Sequence, residues 1–193
     1  MGNEKINNIK QILGLRAEYK YDNHEEFNTL RSSDSLPMHY VYDGGQSTFR
    51  IQICSIIHGN EVGSLPAVIQ LIRDLESNKV SFGGQISICL GNPEAARLNR
   101  RFVDADLNRL FLNPQPSAHQ STHEAKRAQE LMPILSQCDL LLDLHQTNLA
   151  SNRAFYIFPN SKISRAWARA IGGTNAFVDS TPTNPNPTYQ CSD

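Results

Sequence analysis

The 193-residue sequence has no apolar run near the roughly 18 residues that a membrane-spanning helix needs. It has no surplus of either charge. Eighteen Lys and Arg stand against 19 Asp and Glu, a net charge of -1. That excludes a broad basic field for nucleic acid and an acidic tail. No C-x-x-C pair occurs among Cys54, Cys89, Cys138 and Cys191, which excludes a zinc ribbon and a thioredoxin motif. Cys54 and Cys89 lie in apolar runs and read as small buried hydrophobes. A reduced, cytoplasmic compartment is the expectation. The first residues, MGNEKINNIKQ, are too polar for a signal peptide, and Ile6 stands where a myristoylation motif wants Ser or Thr. There is no repeat, no Gly/Ser linker and no G-x-S-x-G elbow for a serine hydrolase.

What remains is an ordinary globular composition, 39% hydrophobic, of a length that suits one domain or little more. Residues 1–35 are polar and mixed and read as an N-terminal extension, with Ile6, Ile9, Ile12 and Leu13 at helical spacing. The segments His39 to Tyr42 and Phe49 to Ile57, joined through Gly44-Gly45, read as a hairpin. FRIQICSII is nearly continuous in apolar character, as a buried central strand requires. A helix is expected from about Glu61 to Leu75, with Leu65, Val68, Ile69, Ile72 and Leu75 on one face. A strand at Gln85 to Leu90 and a short helix at Glu94 to Asn99 follow. Ser121 to Glu124 has the capping-box form and opens a helix to about Ser136, with Pro133 inside it. Strands at Asp139 to Leu144, Ala154 to Phe158 and from Ala176 flank a helix at Lys162 to Ile171. The alternation predicts an α/β sandwich of three layers with a mixed central sheet.

Ligands in such sheets bind beyond the carboxyl ends of strands. Three polar clusters fall there: His58 to Glu61, Arg101 to Arg109, and Asp143 to Thr147. His58 ends a strand and Glu61 begins the next helix, with Gly59 permitting a tight turn. His145 ends a second strand. Two imidazoles and a carboxylate are a common catalytic zinc set with one position open. H-x-x-E alone is a short motif that chance often supplies, but its strand–turn–helix setting and the second strand-end histidine strengthen it. Asp143 lies two residues before His145, on the same side of the strand, and is a candidate to orient that imidazole. Arg97, Arg100, Arg101, Asn108 and Arg109 suit carboxylates and a polarised carbonyl. They suit equally an ion-pair network with Asp104 and Asp106. His119 and His123 are four apart, yet the capping box puts His119 outside the helix. Gln146, Thr147 and Asn148 either line a pocket or make plain loop hydrogen bonds.

Five motifs occur in order: H-G-N-E at 58–61, N-P-E-A at 92–95, R-F-V-D-A-D-L-N-R-L-F at 101–111, R-A-Q-E at 127–130 and D-L-H at 143–145. Together they resemble the aspartoacylase/succinylglutamate desuccinylase family of the zinc carboxypeptidase-like superfamily. The resemblance implies one Zn2+ per chain, held by His58, Glu61 and His145. It implies that Arg101 polarises the scissile carbonyl and that Asn108 and Arg109 bind a substrate carboxylate. The reaction implied is attack of zinc-bound water on the amide of a small N-acyl amino acid, with a glutamate as general base. No nucleic-acid or membrane partner is implied.

In that family the glutamate comes from a later strand, followed by a smaller C-terminal β domain. No segment after His145 matches it, and only Asp179 and Asp193 are acidic there. The expectation is therefore a domain spanning 36–193 that is truncated at the C-terminus, its general base absent. Two other readings stay open: a metallocarboxypeptidase acting on peptides, and a zinc-binding module without catalysis.

Overall fold

The computed structural model describes Phe27 and residues 36–111, 120–147, 155–158, 161–171 and 177–179. The expected helix around Ile6 to Leu13, His119 and the Pro/Asn-rich tail lie outside these residues. The chain divides into two compact units, one running to Gln146 and one within Thr147–Thr188.

In the first unit, β1 (His39–Asp43), β2 (Arg50–Ser55), β3 (Gln85–Leu90) and β4 (Leu140–Leu144) form one sheet in the order β1-β3-β2-β4. β2 runs parallel to both β3 and β4, while β1 runs antiparallel to β3, so the sheet is mixed. The expected β1–β2 hairpin does not form, because β3 lies between the two strands. Strand β2 is buried on both faces over Gln52–Ser55 and takes a partner on each edge. The chain linking β1 to β2 bonds instead to the approach to β3. Gly44 N–H donates to Gly84 O at 2.9 Å and Gln46 N–H to Gly83 O at 2.8 Å. A Cβ on Gly44 would collide with the Phe82 carbonyl, so this glycine serves a close backbone approach, not a two-residue turn.

Successive β2 residues face opposite sides. Ile53, with Ile86 and Ile88 of β3, packs under α1 (Leu65–Glu76), which buries Leu65, Val68, Ile69, Ile72 and Leu75. These are the residues its 3.6-residue period selects, each contributing about 1.5–3 kcal/mol on burial. Phe27 completes this core. Cys54 and Cys89 face the other way, against Ala125, Ala128, Leu131 and Leu135 of α3 (His123–Leu135). Helix, sheet and helix make three layers.

Three boundaries differ from expectation. Helix α1 starts after a 3-10 turn at Val62–Ser64, which leaves Glu61 outside the helix. The short α2 (Pro93–Arg97) is capped by Asn92, whose side chain accepts from Ala95 N–H at 3.2 Å. The N-cap of α3 is Thr122, not Ser121; its hydroxyl accepts from Ala125 N–H at 3.2 Å. Glu124 is thereby freed from a capping box. In the second unit, β5 (Tyr156–Phe158) and β6 (Phe177–Asp179) pair in parallel, and α4 spans Lys162–Ile171. Among the described residues no helix is long and apolar enough to cross a membrane.

Candidate metal centre

The turn after β2 begins with strain. Ile56 is fully buried and takes a left-handed φ of 60°, which is rare for a β-branched residue. Its neighbours hold it there: Gly91 N–H donates to Ser55 O at 2.8 Å, and Asn92 N–H to Ile56 O at 2.7 Å. Such strain costs of order 1–3 kcal/mol and here aims the chain into His58-Gly59-Asn60-Glu61. Gly59 is needed for closeness and not for a turn. Its N–H donates to Arg101 O at 3.0 Å, and a Cβ would overlap the Ala95 and Ala96 backbone. Gly59→Ala is expected to cost about 1–3 kcal/mol of stability, read from the urea-unfolding midpoint.

Because β2 and β4 are parallel neighbours, with Ser55 opposite Leu144, His58 and His145 emerge at the same end of the sheet. Glu61 lies between them. His58 Nδ1 is 2.9 Å from Glu61 Oε1, and His145 Nδ1 is 2.8 Å from Glu61 Oε2. The imidazole centroids are 5.0 Å apart. One donor atom from each of the three side chains falls within 4.8 Å of the others. His58 and Glu61 are buried, whereas His145 opens to solvent.

The far side of each imidazole meets a carboxylate. His58 Nε2 lies 3.2 Å from Asp106 Oδ1, and His145 Nε2 lies 2.8 Å from Asp143 Oδ2. An imidazole that gives its Nε2 proton to a carboxylate presents a lone pair at Nδ1, as a metal ligand must. Both Nδ1 atoms face the third donor. The residues fit a zinc ion by donor type, number and orientation.

The charges are strongly coupled. Burial raises the Glu61 pKa, but Gln146 N–H at 3.1 Å, the His145 contact and the two imidazoles outweigh it and hold the carboxyl below its ordinary value. Burial also raises that of Asp106, and His58 and Arg101 bring it down. Burial lowers the His145 pKa, yet Asp143 and then Glu61 push it up to about 9.

Arg101 reaches the same centre. Its Nη1 donates to Glu61 Oε1 at 3.2 Å, and its Nη2 and Nε donate to Asp106 Oδ2 at 3.1 and 3.3 Å. Of the two uses weighed for the arginines, Arg101 shows the ion pair, with Asp106 and Glu61 as partners. Asn108 N–H donates to Asp106 Oδ1 at 3.1 Å, and its buried side-chain oxygen has no partner among the described residues. Arg109 is exposed and makes no side-chain hydrogen bond or ion pair among the described residues.

Three residues matter more than their motifs suggested. Asp106 joins His58, Arg101 and the Asn108 backbone; its D-x-N spacing, an N-cap pattern, was the available signal. Gln146 makes loop hydrogen bonds: its side-chain oxygen accepts from Gly63 N–H at 2.8 Å. Glu124 is fully buried. Burial raises its pKa, but donors on Asn92, Val103, Asp104 and Ala105 keep it below the ordinary 4.5. A folded-state pKa below the unfolded one gives stability that is complete above the ordinary value and lost as pH falls through the lower, folded value. The unfolding midpoint is therefore expected to fall as pH drops below the ordinary carboxyl value of 4.5, and Glu124→Gln to flatten that limb.

The sheet, its helices and this strand-end cluster define an α/β protein of the zinc carboxypeptidase-like fold. Residues 47–186 match the succinylglutamate desuccinylase/aspartoacylase catalytic domain, and the chain belongs to that family. It is 31% identical over 121 residues to a probable aspartoacylase of Parasynechococcus marenigrum, covering 60% of this chain and 40% of that protein. It is 41% identical over 75 residues to a succinylglutamate desuccinylase of Pseudomonas paraeruginosa, covering 39% and 22%. The crystal structure of succinylglutamate desuccinylase from Chromobacterium violaceum superposes with a TM-score of 0.59 at 21% identity, over 69% of this chain and 48% of that one. The chain spans less than half the length of these proteins.

Proposed function

We propose that this chain is the metal-binding portion of a zinc-dependent amidohydrolase that cleaves the amide bond of a small N-acyl amino acid. His58, Glu61 and His145 hold one zinc ion. Bound zinc supplies Lewis acidity and lowers the pKa of water to near neutrality. The chain's own residues do the rest. Asp106 and Asp143 fix the two imidazoles with Nδ1 forward. Arg101, whose guanidinium lies 3.2 Å from a Glu61 oxygen, donates to the carbonyl oxygen as negative charge grows on it. Asn108 and Arg109 take the carboxylate of the amino acid, Arg109 with a guanidinium that no other carboxylate engages among the described residues. No described residue is assigned as general base.

The observation that carries this reading is the arrangement of two histidines, each backed by a carboxylate and each turned toward Glu61. Zinc titration of the dialysed chain against a chromophoric chelator tests it, with one tight equivalent expected. Absence of stoichiometric binding would overturn the assignment. Hydrolysis is then followed on N-acetylated and N-succinylated amino acids beside blocked dipeptides. Turnover of dipeptides alone would move the assignment to a carboxypeptidase. The relatives named as an aspartoacylase and a desuccinylase favour the acylated amino acids.

A further inference from the structure

We infer that Glu124 is a positioning residue for the metal centre, its buried carboxylate fixing the Val103–Ala105 backbone and, through it, the Asp106 that holds His58. The inference rests on the metal reading above. Glu124 is fully buried on α3, yet it pairs with no cation among the described residues. Its Oε1 accepts from Asn92 Nδ2 at 2.9 Å and from Val103 N–H at 2.6 Å. Its Oε2 accepts from Asp104 N–H at 3.0 Å and Ala105 N–H at 3.1 Å. Three successive amides converging on one carboxylate leave that segment no freedom to slide.

The segment leads directly into the site. Asp106 follows Ala105, and its contact with His58 Nε2 is 3.2 Å, at the long end of hydrogen bonding. A displacement of a few tenths of an ångström at Ala105 decides whether that contact exists. Arg101 sits on the near side of the clamp and shares Asp106. Asn92 connects the same carboxylate to the α2 cap and, by its own N–H, to the strained Ile56 turn. One buried anion thus ties together the two loops that supply His58 and its carboxylate partner.

All four partners are donors, so only a carboxylate satisfies them. Glu124→Gln turns an amide N–H2 against two of them. Zinc affinity of this variant is expected to fall about 10–100-fold, the range for losing a partner behind a ligand. A merely structural residue would add that loss to any other. Here Glu124→Gln should cost little further in an Asp106→Asn background, because both changes release the same contact. Glu124→Asp, which keeps the charge, should recover part of the affinity. It also carries the cycle if the glutamine variant fails to fold. In the metal-free chain, hydrogen exchange at Val103, Asp104 and Ala105 should quicken in Glu124→Gln. Wild-type affinity in the variant, an equal loss in the Asp106→Asn background, or unchanged exchange at those amides would overturn the inference. Failure of the wild-type chain to bind zinc would sink the metal reading instead, and exchange in the metal-free chain would still test the clamp.

Discussion

Glu61→Ala is expected to lower zinc affinity by more than the roughly 10–100-fold that removal of an outer carboxylate costs, measured by chelator competition. Among the described residues, Glu61 contacts both histidines, Arg101 and the Gln146 backbone. One oxygen meets His58 Nδ1 and Arg101, and the other meets His145 Nδ1 and Gln146 N–H. Its loss takes away one of three donors and also the anion around which two histidines and an arginine gather. His145 would then keep Asp143 as its one carboxylate partner among the described residues. Glu61→Gln separates the two effects. It keeps the shape and a side-chain oxygen but removes the charge, so it should lose metal while keeping most of the fold. Zinc bound by Glu61→Ala as tightly as by wild type would show that the ion, if any, sits elsewhere.

The clustering of His58, Glu61 and His145 was legible because parallel strands deliver their carboxyl ends to one edge. A strand ending before H-G-N-E and another ending in D-L-H must bring their polar residues together if they are neighbours. The face of α1 was legible for a similar reason, since a period of 3.6 is local information. What failed was pairing at long range. The Gly44-Gly45 dipeptide between two strand-like runs is an ordinary hairpin signal. It misleads here because the need of β2 for partners on both edges outweighs the short connection. The α3 cap shifted by one residue because Ser121 and Thr122 are chemically equivalent caps, and the backbone decides between them. Glu124 was hidden by that same ambiguity. As part of a capping box it would be a surface residue, whereas one residue of shift turns it inward onto a loop about twenty positions away. Asp106 was weighed only as an ion-pair partner, since nothing local tells that an aspartate faces a histidine 48 residues earlier.

Arg127→Leu is expected to cost about 3 kcal/mol or more in unfolding free energy, because it removes the guanidinium that donates to three backbone carbonyls. The guanidinium is 6% exposed and threads from α3 to the carboxyl end of β3. Its Nε donates to Gly91 O at 2.9 Å and its Nη2 to Leu90 O at 2.8 Å, with Pro37 O at 3.3 Å. The remaining contact, to Glu130, is half exposed and contributes little. Burial and the Arg127 charge both lower the pKa of His39. Lysine cannot replace this planar fork, and Arg127→Lys should recover only a minor part of the loss. The consequence reaches the candidate metal centre. Gly91, whose carbonyl Arg127 holds, donates its own N–H to Ser55 O and so steadies the turn before His58. Arg127→Leu should therefore weaken zinc binding as well as the fold, whereas Arg109→Leu, which is exposed and unpaired among the described residues, should leave both unchanged. A stability loss below about 1 kcal/mol in Arg127→Leu would mean that water reaches these carbonyls and that the strand end does not depend on the arginine.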